Sequence, residues 1–113
     1  MGVAFDIRNG TCLLTLSGEY DRANVDELAS DIKACLGSAP SVLLDFQEVT
    51  FVDGAVLSLL HDVLDRMSNR GRLGIARALP RMEDLLRIAG LTKRSNFQVF
   101  STLEEAFQAI SEG

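Results

Sequence analysis

The side chains able to do chemistry are few, and their spacing joins hardly any of them. The one histidine, His61, stands in the middle of a helical pattern. A nucleophile needs a base within hydrogen-bond reach and a third group to orient that base. No Ser–His–acid or Cys–His set can be built around His61, which reads as a partly exposed surface residue at the edge of its helix. Cys12 and Cys35 form no Cys-x-x-Cys pair, and two thiols and one imidazole so dispersed do not make a soft-ligand metal site. Both cysteines fall in apolar patterns and read as small core hydrophobes, with a redox exchange between them as the alternative. Phosphate loops of the GxxxxGK or GxGxxG kind are absent. Gly71 and Gly74 belong to the entry of a strand pattern, where no helix N-terminus follows to face a phosphate. Asp45 closes a strand pattern without a second acid to hold magnesium. What remains is Asp53-Gly54-Ala55, an acid suited to cap a helix followed by two residues with no functional group. These residues argue against an enzyme, and no metal or cofactor is expected.

Composition narrows the class further. The 113 residues are 47% hydrophobic and 24% charged, with six Phe, one Tyr and no Trp. That describes a globular chain with a core of Leu, Val, Ile and Ala, large enough to need no staple. The net charge of −5 argues against nucleic acid as the main partner. Basic residues gather between Arg66 and Arg94 while the ends are acidic; this reads as solvated helix surface, with a local basic face as the alternative. The start, Met1 to Asp6, carries no basic region or long apolar run. No stretch approaches the length of a membrane span, so neither a signal peptide nor direct membrane insertion is expected. A bacterial, cytoplasmic protein is the expectation.

The elements that must position these residues alternate along the chain. Val3–Arg8 and Thr11–Ser17 alternate apolar and polar side chains around Asn9-Gly10, a hairpin signal, since both residues tolerate positive φ. Gly18–Asp21 reads as a turn. From Arg22 to Leu36 an apolar stripe (Val25, Leu28, Ala29, Ile32, Cys35, Leu36) predicts a helix stopped by Gly37 and Pro40. Ser41–Phe46 predicts a strand buried on both faces. Gln47–Thr50 reads as a turn closed by Thr50, and Phe51-Val52 as a short apolar touch. A helix from Gly54 to about Asn69 follows, with Asp53 as its N-cap. Arg72–Ala76 predicts a strand, Pro80 opens a helix ended by Gly90, and Phe97–Phe100 predicts a last strand. Ser101-Thr102-Leu103-Glu104 reads as a capping box for the final helix. The order is β-β-α-β-α-β-α-β-α, an α/β fold with a mixed sheet and helices packed on it.

Loose similarity to the receiver domains of response regulators fails on the residues, since the first strand pattern ends in Arg8-Asn9-Gly10 and the last ends without Lys. A closer resemblance runs nearly the whole chain, in order. It rests on Leu16-Ser17-Gly18-Glu19-Tyr20-Asp21, Val42-Leu43-Leu44-Asp45-Phe46, and Phe51-Val52-Asp53-Gly54-Ala55-Val56-Leu57. It continues through Leu86-Arg87-Ile88-Ala89-Gly90-Leu91, Phe97-Gln98-Val99-Phe100 and Glu104-Glu105-Ala106. Together these resemble the STAS domain of anti-sigma-factor antagonists, and the resemblance implies a single STAS domain over residues 1–113.

The resemblance implies a binding module that captures an anti-sigma factor, often a serine kinase, and thereby releases a sigma factor. In that family the kinase phosphorylates a Ser or Thr at the helix start and breaks the complex, because a phosphate adds charge inside the contact. This sequence departs from the pattern there: Gly54 and Ala55 stand where the family has hydroxyl residues, and Val56 replaces a Gly. The phosphoacceptor is therefore absent. Three consequences stay open: constitutive binding, regulation through the cysteines or another hydroxyl (Ser58 or Thr50), or a non-switching branch. That branch would act as a signalling scaffold or as a STAS subunit of a membrane assembly moving lipid or solute, with a more apolar exposed face. The implied partner surface comprises Tyr20, Asp21, Arg22, Asp53, Gly54, Ala55, Ser58 and Asp62, with Tyr20 either an aromatic anchor or a cover over the core edge. A homodimer is compatible with this reading.

Overall fold

The computed structural model describes residues 2–67 and 70–112. Strands β1 (Gly2–Arg8) and β2 (Thr11–Tyr20) form the expected hairpin, with Asn9 at φ 50° and Gly10 at φ 78°. Two successive positive φ values match the right-handed twist of the strands they join. Helix α1 (Val25–Ser38), β3 (Ser41–Val52), α2 (Gly54–Arg66), β4 (Leu73–Ala76), α3 (Pro80–Ile88), β5 (Phe97–Phe100) and α4 (Leu103–Glu112) follow. The sheet order is β1-β2-β3-β4-β5, with β1 antiparallel to β2 and the other neighbours parallel. The element order read from the sequence is the one observed, with an added 3-10 turn at Leu91–Lys93.

Parallel strands β2 to β5, laid down in sequence order and each joined to the next by a right-handed crossover, put α1, α2 and α3 on the same face. Side-chain parity agrees. Cys12, Leu14, Leu16, Val42 and Leu44 pack in one core with Leu28, Ile32, Leu60, Met82 and Leu86. The opposite parity, Leu13, Leu43, Ala76 and Phe100, packs with Ala106 and Ile110 of α4 in a second core. The helix after β5, α4, covers this other face.

Several boundaries differ from the sequence reading, for stated reasons. Gly18–Asp21 is not a turn after a short strand: β2 runs on to Tyr20, with register shifts between Thr15 and Ser17 and between Gly18 and Glu19. Gly18, at φ 90°, absorbs the second irregularity. Gln47–Thr50 is likewise strand, because β3 continues to Val52 beside the lengthened β2. Helix α1 starts at Val25 rather than Arg22 and passes through Gly37 to Ser38. Helix α2 ends at Arg66, with Met67 extended beyond it; Asn69 lies outside the described residues. The last helix is capped by Thr102, whose Oγ accepts from the Glu105 N–H at 3.1 Å, so the capping box sits one residue later than Ser101–Glu104.

The cysteines are both core residues and a bonded pair. Cys12 on β2 and Cys35 on α1 are fully buried and joined as a disulfide, their Cα atoms 5.5 Å apart. The parity that sends Cys12 inward and the helical stripe that sends Cys35 inward bring them to one point of the core. The bond closes a loop with a sequence separation of 23, which the chain-entropy account values at about 3 kcal/mol. Urea unfolding of oxidised and reduced protein should therefore show a clearly lower midpoint after reduction. Equal midpoints would mean that the cross-link does not restrain the unfolded chain.

On the other face Gly74 sets the distance between α4 and the sheet. A Cβ there would lie 2.9 Å from Ile110 Cδ1, 3.0 Å from Phe100 Cε2 and 3.1 Å from Leu43 Cδ1. Glycine in a strand often marks such a close approach. Gly74→Val should cost about 1–3 kcal/mol in a urea titration by overpacking, and Gly74→Ala less. A neutral Gly74→Val would show that α4 rides loosely on the sheet.

Candidate functional site

The site stands on a two-stranded ribbon that outruns the rest of the sheet. β4 pairs with β3 only over Val42–Asp45, whereas β2 and β3 stay paired as far as Tyr20 and Val52. The chain leaves β2 into the α1 turn and leaves β3 into α2 at the same place. Asp53 N–H donates to the Tyr20 carbonyl at 3.2 Å and closes the ladder.

Asp53 then joins the two turns through its side chain. Oδ1 accepts from the Ala55 N–H at 2.9 Å, the expected N-cap contact, and Oδ2 accepts from the Arg22 N–H at 3.2 Å. A carboxylate facing the first N–H groups of a helix is favoured by their partial positive charge. Beside it, Asp21 Oδ1 accepts from the Ala23 N–H at 2.8 Å. Asn24 holds the turn from the other side, accepting from the Asp21 N–H and donating to the Glu19 carbonyl, both at 2.8 Å. Sequence reading missed Asn24 because it placed the helix start at Arg22. An Asn directly before the first apolar helical residue, Val25, was the available signal.

The structure brings Asp21, Arg22, Asp53, Gly54 and Ala55 together at the start of α2. Gly54, Ser58 and Asp62 are all exposed and lie along one line of α2 at four-residue spacing. Asp62 belongs to a different feature, a groove of about 480 Å³ between α1 and α2 lined by Ile32, Leu36, Leu59, Val63 and Arg66 among others. Gly54 and Ala55 present no hydroxyl. A Cβ at Gly54 would meet nothing within 4 Å, so the glycine is not required there by crowding.

Of the two roles open to it, Tyr20 takes the core one and not the anchor. Its side chain is 1% exposed and packs in the core under α1, so its ring is not an anchor on the surface. The lengthened β2 is the reason, since the strand parity that places Tyr20 opposite Val52 also turns it inward. Burial raises the phenol above its ordinary range, and the nearby charges of Asp31 and Glu27 push the same way, against the lowering effect of a backbone hydrogen bond at Ser17.

The remaining titratable groups of interest are structural. His61 Nε2 lies 2.8 Å from the Ala89 carbonyl and Nδ1 lies 3.2 Å from Arg94 Nη1. The first contact requires the ring to donate and the second requires it to accept, which defines the neutral Nε2–H tautomer. His61, half-buried at the edge of α2 as its place in the stripe predicts, ties α2 to the end of α3. Asp45, buried on the α4 face, accepts from Arg77 Nε at 3.1 Å and from Arg77 Nη2, and also from the Gln47 N–H at 3.2 Å. Asp45 raises the Arg77 guanidinium further above its already high range. Among the described residues no group of three or more His, Cys, Asp or Glu is placed to hold a metal, and no helix is long and apolar enough to cross a membrane.

Next to the α2 start is a surface that sequence reading did not single out. Phe51, Leu85 and Ile88 are 48%, 40% and 76% exposed. Phe51 and Leu85 line a groove of about 300 Å³ with Thr50, Val52, Arg81 and Met82. Arg81 donates to the Thr50 carbonyl at 3.2 Å across that groove. The apolar pattern of Met82, Leu85, Leu86 and Ala89 predicts one inward face for α3, but only Met82 and Leu86 are buried; Leu85 and Ile88 lie outside that stripe.

This fold and site can be compared with known proteins. The family profile described as Mlab, STAS domain, matches residues 3–103, and the chain belongs to the STAS family. A search of curated proteins gives no match. An anti-sigma factor antagonist from Mycobacterium paratuberculosis superposes with a TM-score of 0.85 at 23% identity, over 96% of this chain and 92% of that one. The phosphorylated form of the Bacillus cell fate determinant SpoIIAA gives 0.73 at 19% identity, over 96% and 99%. A murine solute-carrier anion transporter gives 0.75 at 17% identity, over 92% of this chain and 18% of the transporter. These likenesses establish the STAS fold.

The single tyrosine offers a direct check of the site's core side. Because folding favours the neutral phenol, its stabilising effect is whole below the unfolded value of about 10 and is lost as pH rises through the raised folded value. Tyrosinate absorbance of the native protein should therefore rise at a pH above that of the urea-unfolded chain. Coincident curves would place Tyr20 in solvent.

Proposed function

We propose that the chain is a protein-binding regulatory module, acting as one domain, that captures an anti-sigma factor and so releases a sigma factor without a phosphorylation switch. The observation that carries this reading is the start of α2. The helix end is exposed and held by Asp53, yet Gly54 and Ala55 offer nothing to phosphorylate. The partner is an anti-sigma factor, of the serine-kinase type or otherwise, and the contact is built on Asp21, Arg22, Asp53, Gly54, Ala55 and Ser58. Self-association is compatible with it. The setting is a bacterial cytoplasm, where disulfides are rare; full burial of Cys12 and Cys35 shields their bond from reductants there.

A second reading, a STAS subunit of a membrane lipid or solute transport assembly, is favoured by one observation. The exposed Phe51, Leu85 and Ile88 make the face beside the site more apolar than a phosphorylation switch requires.

Affinity capture from the native lysate, with mass spectrometry of bound proteins and of this chain's phosphosites, separates the two. Capture of an anti-sigma factor with no phosphate on the chain supports the first reading. Transporter subunits in the eluate support the second, and phosphate on Ser58 or Thr50 removes the claim that the switch is absent. Gly54→Glu places a negative charge where a phosphate would sit, at an exposed position where a Cβ meets nothing within 4 Å. It should weaken capture of the anti-sigma factor at least tenfold while leaving the fold unchanged by circular dichroism. Undiminished capture would move the contact away from the α2 start.

A further inference from the structure

The groove of about 480 Å³ between α1 and α2 begins where the α2 contact ends. Asp62 stands one helical turn beyond Ser58, on the exposed line that starts at Gly54. The two walls run the same way, because α1 and α2 each follow a turn held by the Asp53 carboxylate and descend the same face of the sheet. Ile32 and Val63 are buried at the floor, and Ala29, Leu36 and Leu59 are half-buried above them. On each wall an acid precedes a base: Asp26 before Lys33 on α1, and Asp62 before Arg66 on α2. All four are exposed, and among the described residues their side chains make no hydrogen bond or ion pair. The ion pairs found there join Asp6, Asp45, Asp65 and Asp84 to other arginines.

We infer that this groove docks an amphipathic helix of a partner protein, one with a cationic end and an acidic end on either side of its apolar anchors. The inference rests on the reading of the chain as a binding module and carries its contact down α2. The walls are two helices running the same way with an apolar floor between them, and such a trough receives a third helix by side-chain interdigitation. The charges set the polarity of the occupant. Asp26 falls in the first turn of α1 and Arg66 in the last turn of α2, so the end nearest the α2 start is acidic and the far end cationic. Lys33 and Asp62 stand between them on opposite walls and keep the same acid-to-base order. A helix with its cations toward the α2 start and its carboxylates toward the far end therefore meets opposite charge on both walls. The reverse placement meets like charge, and a helix of one sign satisfies only half of the groove. Having no internal partners to give up, the four side chains are free to pair across the contact. An anionic bilayer fits less well, since the surface is concave and two of its four rim charges are carboxylates.

The test is an amide NMR titration of the full chain with three synthetic helical peptides that share one leucine stripe. One carries Lys on its N-terminal half and Glu on its C-terminal half, one carries Lys throughout and one Glu throughout. The mixed peptide should shift Ala29, Leu36, Leu59 and Val63 and bind at least tenfold more tightly than either uniform peptide. A nitroxide on its lysine end should broaden the Asp26 amide more than that of Arg66. Asp62→Arg with Arg66→Asp reverses one wall at exposed positions and should weaken the mixed peptide at least fivefold. Adding Asp26→Lys and Lys33→Asp reverses the other wall and should restore binding with the nitroxide end turned about. Gly54→Glu should leave the affinity unchanged, which separates the groove from the α2 start. Equal affinity for the three peptides, insensitivity to the one-wall reversal, no restoration by the second, or loss on Gly54→Glu would each overturn the inference. Shifts of the same residues on concentrating the chain alone would give the face to a second copy. Sedimentation with phosphatidylglycerol vesicles in place of peptide binding would give it to a membrane, and either result would overturn the inference too. None of these results bears on whether the α2 start captures an anti-sigma factor.

Discussion

The Asp53 carboxylate is where the β2–α1 turn and the start of α2 meet. One oxygen accepts from the backbone at Ala55 and the other from the backbone at Arg22, 31 residues earlier in the chain. The first contact satisfies an N–H that a helix start leaves without an intrahelical partner. The second fastens the β2–α1 turn to that same helix start. Removing the carboxylate would leave both N–H groups in need of partners and uncouple the turns. The contact in turn depends on the β2–β3 ribbon, because only strands paired as far as Tyr20 and Val52 deliver the two turns to one place.

The ribbon has a second consequence. A β3 that outruns β4 has an open side, and α3 lies against it closely enough for Arg81 to reach the Thr50 carbonyl. The exposed Phe51 and the apolar line of α3 therefore come from the same mismatch of strand lengths that builds the α2 site. One architectural fact produces a polar, backbone-rich candidate site on one side and a largely apolar groove on the other.

The rest of the fold serves as support. Three crossovers cover one face of the sheet, and α4 closes the other, drawn close by Gly74. Asp45 and Arg77 show how a charge is kept at the edge of that second core. Arg77 turns back at φ 61° and lays its guanidinium along the buried carboxylate, with the Gln47 N–H as a further partner. Burying a carboxylate is tolerated when it is paired and hydrogen-bonded in this way.

Much of this was legible in the sequence because it depends on short-range periodicity and turn chemistry. Asn9-Gly10 fixed the hairpin, the apolar stripes fixed four helices, and Asp53 declared itself as a cap. The lack of a hydroxyl at Gly54 and Ala55 also needed no structure. Tertiary structure decided what depends on pairing between distant segments. The residues Gly18–Asp21 and Gln47–Thr50 have turn-forming composition, yet each extends a strand because the other lies beside it. That extension turned Tyr20 inward and left Phe51 exposed, and neither outcome follows from local pattern. The meeting of Cys12 with Cys35 has the same origin: each cysteine's apolar environment was readable, but only the docking of α1 on β2 set their Cα atoms 5.5 Å apart. Side-chain period is a property of one segment, whereas register and contact belong to pairs of segments, and a single sequence specifies the first far more directly than the second.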